Sequence, residues 1–208
     1  MNRVAIVDYG MSNLDSIRRA IEEVGGSPYV VASPDVLGHP DRIVLPGVGA
    51  FSLAMANLRT NGLDRVLVDE VLGDGVPFLG ICLGMQLLGS EGDEGDEGGP
   101  TSGLGWIPGR ISRLAPTGTD RRVPHVGWNE VVPAGSGPLF EGIESGTDFY
   151  FVHSFHLCAS VEEDVAATTP YCGGFISAVA RDQVFGVQFH PEKSQRAGFA
   201  VLRNFLAI

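Results

Sequence analysis

One short stretch near the middle of the chain, Gly80-Ile81-Cys82-Leu83-Gly84, limits the fold more than any other feature. An apolar strand pattern at residues 77–81 precedes the cysteine, and a helical pattern begins at about Leu83. Glycines two residues before and two residues after it permit a tight turn in which neighbouring backbones approach closely. This is the context of a nucleophile elbow, and the partial positive charge of a helix N-terminus favours a thiolate there. For the cysteine taken alone, a buried structural role stays open.

The order of the elements indicates the fold class. The first half of the chain alternates strand and helix patterns, and the second half carries closely spaced strands with turn residues between them. Strands are predicted at residues 3–8, 27–31, 42–45, 77–81, 110–114, 122–132, 148–157, 165–169, 175–181 and 184–189. Helices are predicted at residues 14–24, 51–59 and 64–72, and from about 83 and 197. The pattern predicts an α/β fold: a three-layer open mixed sheet, mostly parallel with an antiparallel section, with helices on both faces.

Composition narrows the class of function. A formal net charge of −11 leaves no basic stripe for nucleic acid and disfavours a membrane surface. No apolar run reaches the roughly 20 residues of a membrane helix, and no secretion signal is recognised. Cys82, Cys158 and Cys172 match neither a zinc pair nor a disulfide framework, so a cytoplasmic location is expected. Residues 1–208 are expected to form a single domain, with residues 90–100 as a mobile acidic surface loop.

The run Phe189-His190-Pro191-Glu192 provides a partner for the thiol. It follows a predicted strand, so residues 190 and 192 project to the same side of the sheet rim. His190 is a candidate base and acid, and Glu192 would fix its tautomer and orientation. A structural histidine near a turn is the alternative for this segment alone. The chain order of nucleophile, histidine and acid differs from that of the α/β-hydrolases, which argues against an esterase.

A third element is the turn Pro46-Gly47-Val48-Gly49-Ala50-Phe51. Glycines on both sides of Val48 would let its peptide reorient and present an N–H to an oxyanion, although a simple strand-to-helix loop is an equal alternative. The other histidines lack the spacing of metal ligands, so no metal site is predicted. The glycine-rich stretches lack both a dinucleotide-binding pattern and a Walker lysine.

Together these residues resemble the class I, or triad, glutamine amidotransferases. The segments 80–86 and 189–192 resemble the nucleophile and His-x-Glu motifs of that family. Further segments are similar to one branch of it, whose glutaminases supply ammonia for imidazole glycerol phosphate formation in histidine biosynthesis. These segments cover residues 8–13, 46–51, 123–129, 149–154 and 186–194.

The resemblance implies a reaction and a set of site residues. A Cys82 thiolate would attack the amide of glutamine, His190 would protonate the leaving ammonia, and water would hydrolyse the glutamyl thioester to glutamate. The residues implied to hold glutamine are Gly49, Gln86, Ser154 and Phe155, with Glu94 meeting its ammonium group. Val48 and Leu83 would supply the oxyanion N–H groups. The Pro-Gly-Val-Gly turn implies that Val48 must flip to complete the hole, and hence low activity until a partner signals.

Size argues separately for a partner, because 208 residues leave little room for a second active site that uses the ammonia. The resemblance implies a (β/α)8-barrel cyclase subunit, which makes imidazole glycerol phosphate and aminoimidazole carboxamide ribotide. It implies no metal and no organic cofactor. By analogy the interface would include Asn13, Trp128, Tyr150 and Lys193, each of which could equally be a core or rim residue.

Three rival functions stay open at this point. The chain could be a glutaminase subunit for pyridoxal phosphate, anthranilate or carbamoyl phosphate synthesis, although the segment 124–129 and the Val48 turn argue against it. It could be a cysteine-elbow hydrolase or chaperone, which would not need His-Pro-Glu, or a binding module whose triad has decayed. Two departures from the family pattern are the long acidic loop around Glu94 and Phe155, which stands where tyrosine is common and lacks its hydroxyl.

Overall fold

The computed structural model of the chain describes residues 2–95, 99–117 and 122–208. The strands are β1 (Arg3–Val7), β2 (Ser27–Val31), β3 (Arg42–Gly47), β4 (Phe78–Cys82), β5 (Glu91–Gly92), β6 (Thr101–Ser102), β7 (Gly109–Arg113), β8 (His125–Pro133), β9 (Thr147–His153), β10 (Phe155–Ala159), β11 (Val165–Thr169), β12 (Phe175–Arg181) and β13 (Val184–Val187). The helices are α1 (Leu14–Glu23), α2 (Phe51–Thr60), α3 (Leu63–Val68), α4 (Leu83–Gln86) and α5 (Gln195–Ala207). A π-helical turn at Asp69–Gly73 continues α3.

Nine strands form one mixed sheet in the order β2-β1-β3-β4-β13-β12-β11-β8-β9. The strands from β2 to β13 in that order run parallel, and those from β12 to β9 continue the sheet in antiparallel pairs. This confirms the predicted mixed sheet with an antiparallel section. Because β4 lies between β3 and β13, the Val48 turn, the cysteine and the His-x-Glu segment emerge at one edge of the sheet, at the carboxyl ends of parallel strands. Ligand sites of open α/β sheets lie at this edge.

Apolar side chains fill the space on each face of this sheet. Val44 belongs to a core cluster that also holds Ile21 of α1 and Phe205 of α5. Its neighbour Leu45 belongs to a second cluster, together with Leu58 of α2. Successive side chains of a strand point to opposite faces, so these two clusters are the two outer layers of a three-layer fold. The predicted helices on both faces are therefore confirmed.

The segment predicted as one strand at residues 148–157 is two strands, and that prediction is wrong. The chain leaves β9 at His153, and after Ser154 it enters β10, which belongs to a separate four-stranded sheet with the order β10-β7-β5-β6. The Ser154 carbonyl accepts the N–H of Leu114 at 2.8 Å, just beyond the end of β7. Pairing with β7, which is remote in sequence, redirects a run whose local pattern shows no break.

The expectation of a mobile surface loop at residues 90–100 is also wrong in part. Residues 91 and 92 form β5, which pairs antiparallel with β6 and parallel with β7. Gly92 is buried, and a Cβ atom there would lie 3.0 Å from Cδ1 of Phe51. Glycine thus lets this acidic stretch dock on α2, which composition alone does not reveal. Residues 96–98 lie outside the described part of the chain.

Candidate active site

The turn around Cys82 has the geometry of a nucleophile elbow. Cys82 is the last residue of β4 and has a φ of +54°, a region that residues other than glycine rarely occupy. A Cβ atom on Gly84 would lie 1.8 Å from the Leu45 carbonyl oxygen, and one on Gly80 would lie 2.5 Å from the Gly84 carbonyl oxygen. The two glycines are therefore required because backbone passes directly against backbone. Surrounding main chain holds the cysteine in its strained position.

Two polar groups contact the sulfur of Cys82, one from Gln188 and one from Val152. Cys82 is 5% exposed, and its Sγ accepts a hydrogen bond from Nε2 of Gln188 at 3.5 Å. The thiol can donate to the carbonyl oxygen of Val152, 3.8 Å away on β9. The thiol is thus positioned between donors and acceptors instead of being packed among apolar side chains alone.

His190 and Glu192 form a close pair just after β13. Nδ1 of His190 lies 2.8 Å from Oε1 of Glu192, and both side chains are almost fully buried. The backbone fixes the ring, because the N–H of His190 donates to the Tyr150 carbonyl at 2.9 Å and Oγ of Ser194 donates to the His190 carbonyl at 2.6 Å. Nε2 of His190 is buried and has no hydrogen-bond partner among the described residues. The ring is therefore oriented by the acid with its second nitrogen available.

The charge state of His190 follows from its neighbours. Burial by itself lowers the pKa of His190, but its interactions with Cys82 and Glu192 outweigh that effect and raise the pKa to about 10. A positive imidazolium is thus favoured between the sulfur and the carboxylate across the neutral range. This is the protonation state that pairs with a thiolate nucleophile.

A cavity of about 220 Å³ opens beside the sulfur. It is smaller than the roughly 300–1,000 Å³ of sites for drug-sized ligands, which suits a single amino acid. Its lining contains Val48, Gly49, Cys82, Leu83, Gln86, Glu94, Val152, His153, Ser154 and Phe155. All the residues predicted to bind substrate or oxyanion are among them, so the structure brings that set together. Burial raises the pKa of the Glu94 carboxyl above its usual range, partly offset by a hydrogen bond from the Phe51 N–H at the start of α2.

The two predicted oxyanion donors differ in conformation. Leu83 is the first residue of α4, and the first N–H groups of a helix have no acceptor within the helix. The N–H of Val48 instead donates to the carbonyl oxygen of Met11 at 2.8 Å. Gly49, at the next position, has a φ of +125°, and a Cβ atom there would lie 2.3 Å from Cε of Met11. In this conformation the Met11 segment holds the second donor.

Three of the four predicted interface residues form one cluster. Trp128 and Tyr150 are opposite each other in the β8–β9 register, with ring centroids 6.0 Å apart. Nζ of Lys193 lies 5.9 Å from the centre of the Tyr150 ring. Trp128 is 47% exposed, and Asn13 is exposed at the N-terminus of α1, which packs against the Pro191–Lys193 turn. Tyr150 and Lys193 therefore lie beside the His190 turn, and Trp128 extends their surface.

Two residues of this site were not predicted from the sequence. Gln188 is completely buried and touches the sulfur, and the alternation of side chains along a strand end, which puts residues 188 and 190 on one side, could have indicated it. The second is His153, for which the spacing of the histidines predicts no metal-ligand role and indicates no other role. It lines the cavity, and burial lowers its pKa to about 3.

Among residues 2–95, 99–117 and 122–208, no group of three or more His, Cys, Asp or Glu side chains could hold a metal ion. In that same part of the chain no helix has the length and apolar character needed to cross a membrane.

Comparison with known proteins gives consistent relatives. The family described as Glutamine amidotransferase class-I matches residues 5–208. The chain is 48% identical to "Imidazole glycerol phosphate synthase subunit HisH" of Moorella thermoacetica, over 99% of this chain and 94% of that protein. It is 45% identical to the protein of the same name from Caulobacter vibrioides, over 99% and 98%.

Solved structures share the fold at much lower identity. PurLQS from Thermotoga maritima superposes with a TM-score of 0.71 at 19% identity, covering 100% of this chain and 99% of that one. A glutamine amidotransferase from Thermotoga maritima superposes with a TM-score of 0.64 at 18% identity, covering 94% and 78%.

Proposed function

The chain belongs to the class I glutamine amidotransferase family, and we propose that it is the glutaminase subunit of imidazole glycerol phosphate synthase. It hydrolyses glutamine to glutamate and ammonia, and the ammonia passes to the other part of the synthase. Relatives that share 40–48% of their residues with nearly the whole chain carry the name of this subunit. Residues 1–208 act as one glutaminase domain, and the free thiols of Cys82 and Cys158 suit a reducing cytoplasm.

One observation carries the catalytic part of the proposal. A strained elbow cysteine opens on a cavity of about 220 Å³, and behind it lies a histidine whose ring is oriented by a carboxylate and whose pKa is raised by interactions with that cysteine. The elbow alone would also suit a cysteine hydrolase or chaperone, but the 2.8 Å contact between His190 and Glu192 gives the thiol an acid–base partner. The intact arrangement weighs equally against a binding module with a decayed triad.

The first half of the reaction forms a thioester. The Cys82 thiolate attacks the side-chain amide carbon of glutamine, and the carbonyl oxygen becomes an oxyanion facing the N–H of Leu83. As the C–N bond breaks, the His190 imidazolium gives its Nε2 proton to the departing nitrogen, which leaves as ammonia. Glu192 keeps the ring oriented and stabilises its positive charge. Gly49, Gln86, Ser154 and Phe155 hold the substrate, and Glu94 meets its ammonium group.

The second half releases glutamate. His190, now neutral, takes a proton from a water molecule that attacks the thioester carbon, and the C–S bond breaks to restore the thiolate. No metal or organic cofactor takes part in these steps. The cavity accepts the second carboxylate of glutamate in the place the amide had occupied.

The conformation of the Val48 turn controls the glutaminase activity. Its N–H donates to Met11 and does not face the cavity, so the oxyanion has only the Leu83 donor in this conformation. The N–H of Val48 belongs to the peptide that joins Gly47 to Val48, and glycines flank Val48 on both sides. Rotation of this peptide would release the hydrogen bond to Met11 and aim a second donor at the oxyanion. Removing one such donor costs about 10²–10³ in kcat in a well-studied protease, so a turn in this state keeps basal activity low.

The partner is a (β/α)8-barrel cyclase subunit, forming a heterodimer. It joins ammonia to a ribulosyl-ribotide to give imidazole glycerol phosphate and aminoimidazole carboxamide ribotide. The cluster of Trp128, Tyr150 and Lys193 forms the contact surface together with Asn13, which precedes α1, since the cluster is accessible and adjoins the His190 turn. An enclosed passage favours uncharged ammonia over ammonium, because burial disfavours the charged form.

The test is a glutaminase assay on the chain alone and with the cyclase and its ribotide ligand. We expect weak activity alone, stimulation of at least about tenfold by the liganded partner, equivalent to roughly 1.4 kcal/mol in barrier, and none in Cys82→Ala. Full activity without a partner would refute the gating by Val48. Activity that persists in Cys82→Ala would refute the nucleophile.

A further inference from the structure

Gln188 is the buried polar residue next to the nucleophile that the mechanism above does not use. It follows β13, two positions before His190, and it is 0% exposed. Its backbone N–H donates to the Ser177 carbonyl at 2.9 Å, which ties the residue to the start of the adjacent strand β12. Its side chain contacts Gln86 on one end and the Cys82 sulfur on the other. We propose that Gln188 is a positioning residue that donates a hydrogen bond to the Cys82 thiolate through Nε2.

The direction of this hydrogen bond is fixed by a main-chain carbonyl. The oxygen of Phe155 can only accept, and Nε2 of Gln86 donates to it at 2.8 Å. The second hydrogen of the same Nε2 group donates to Oε1 of Gln188 at 3.1 Å. With its oxygen engaged there, the amide of Gln188 must turn its Nε2 toward the sulfur, 3.5 Å away. The chain from Phe155 through Gln86 to Gln188 therefore ends in a donor aimed at Cys82.

A second chain of hydrogen bonds ends at the same Phe155 carbonyl oxygen and occupies its other lone pair. Nδ1 of His153 lies 2.9 Å from the Phe155 oxygen, and because burial keeps His153 neutral, its Nε2 is left as an acceptor for Nδ1 of His125 at 3.1 Å. Nε2 of His125 in turn faces Nδ2 of Asn129 at 3.3 Å, and the amide of Asn129 is oriented by its Oδ1, which accepts the Glu130 N–H at 2.9 Å. Both lone pairs of the Phe155 oxygen are thus occupied, which fixes where Gln86 sends its remaining hydrogen.

The hydrogen bond from Gln188 acts on the nucleophile itself. A donor on the sulfur stabilises the negative thiolate and fixes its position relative to the amide carbon. Hydrogen bonds converge on the Phe155 oxygen from both sides, so the network orients groups and does not conduct protons. This inference rests on the proposed function for its role in turnover, but its test on the thiol does not require glutamine.

The experiment measures the pH dependence of Cys82 alkylation by iodoacetamide, read at the Cys82 peptide by mass spectrometry in a Cys158→Ser background that removes the exposed thiol. Gln188→Met keeps the length of the side chain and removes the donor. We expect the midpoint of the profile to rise by about one pH unit, as loss of a hydrogen bond to a charged group implies. Gln188→Glu keeps an acceptor for Gln86 and adds a charge near the sulfur, so it should raise the midpoint further. The ionisable groups around the thiol, among them His190, Tyr9, His153 and Glu94, are unchanged in both variants.

A matched control is Gln183→Met, which removes the hydrogen bond from a half-buried glutamine to the Val71 carbonyl, away from the sulfur. It should leave the midpoint unchanged. In the glutaminase assay with partner, Gln188→Glu should lower kcat with little change in KM, because Gln86 keeps its contacts. A shifted alkylation profile without glutaminase activity in the wild type would overturn the proposed function and leave this inference intact.

Unchanged midpoints in variants with wild-type thermal melting would show that Gln188 only packs, and would overturn the inference. Should both variants fail to fold, the wild type decides it. With 15N-labelled glutamine side chains, one NH₂ signal should move with the same pH midpoint as alkylation and lose that dependence in Cys82→Ala. Absence of such a signal would overturn the proposal as well.

Discussion

The elbow and the Val48 turn follow two adjacent strands and line the same small cavity, but they are built in different ways. Cys82 is 5% exposed and held by backbone that leaves no room for a Cβ atom at Gly84. Val48 is 46% exposed, and its N–H donates to a neighbouring loop at Met11. The nucleophile is thus placed by the sheet itself, whereas the oxyanion donor depends on two loops at the surface.

The energetic difference between the two regions explains which one a partner can control. Displacing the elbow would disturb two clusters of buried side chains, because Cys82 belongs to one and Leu83 to the other. Rotating the Val48 peptide breaks one backbone hydrogen bond, with a net cost of about 1 kcal/mol. A partner shifts an equilibrium only by the difference in its affinity for the two states, and a cost of this size lies well within that range. Control therefore falls on the turn.

The largest expected effect is the loss of glutaminase activity when the cysteine of the elbow is replaced. Cys82→Ala removes the atom that attacks the amide, and partner-stimulated glutaminase activity should fall by roughly 10⁴-fold or more. Cys158→Ala, at an exposed thiol, is the matched control and should keep wild-type activity. Ammonia release measured with both variants decides between them. Equal losses in the two variants would mean that the elbow does not hold the nucleophile.

The backbone contact beneath the elbow provides the second prediction. Gly84→Ala places a Cβ atom 1.8 Å from the Leu45 carbonyl oxygen, so the strand or the helix must move. Overpacking of this kind costs about 1–3 kcal/mol, and the melting temperature and the activity should both fall. Gly135→Ala is the control, because a Cβ atom there would have no described atom within 4 Å. A Gly84→Ala protein with wild-type melting and activity would show that the elbow can yield, and the contrast with Val48 would disappear.

His153, which lines the same cavity as the two regions, gives a prediction about pH. Burial lowers its pKa to about 3 from a usual value of 6.5, so between these values the unfolded chain binds a proton that the folded chain does not. The stability it contributes is present above pH 6.5 and is lost as the pH falls toward 3, by up to about 1.4 kcal/mol per pH unit. In denaturant unfolding, His153→Gln should flatten this slope, and His39→Gln, at an exposed histidine, should not. An unchanged slope in His153→Gln would place the acid sensitivity elsewhere.

The sequence predicts the elbow well because its requirements are local. Small residues around a cysteine, between a strand pattern and a helix pattern, imply the close backbone approach seen at Gly80 and Gly84. Alternation of strands and helices likewise predicts the sheet, and the spacing of His190 and Glu192 predicts that they meet.

What the sequence could not predict depends on pairing between distant segments. The break at Ser154 follows from β10 joining β7, and the docking of Gly92 follows from its contact with Phe51. The link from Gln86 to Gln188 depends on the carbonyl of Phe155, and backbone carbonyls leave no trace in a side-chain pattern. The acceptor of the Val48 N–H is also a backbone carbonyl, that of Met11. The sequence therefore predicts the turn but not its conformation.

The smallest expected effect tests the turn. Val48→Gly widens the backbone freedom of a segment already flanked by Gly47 and Gly49, by about 0.5–1 kcal/mol, and so eases rotation of the peptide whose N–H now binds Met11. Basal glutaminase activity without a partner should rise by about twofold to fivefold, and stimulation by the liganded partner should fall by the same factor because the fully active state is unchanged. Val36→Gly, at an exposed valine that does not line the cavity, should alter neither. If basal activity stays the same and stimulation persists, the Val48 peptide is not the element that the partner moves. The elbow and the Val48 turn would then be equally fixed.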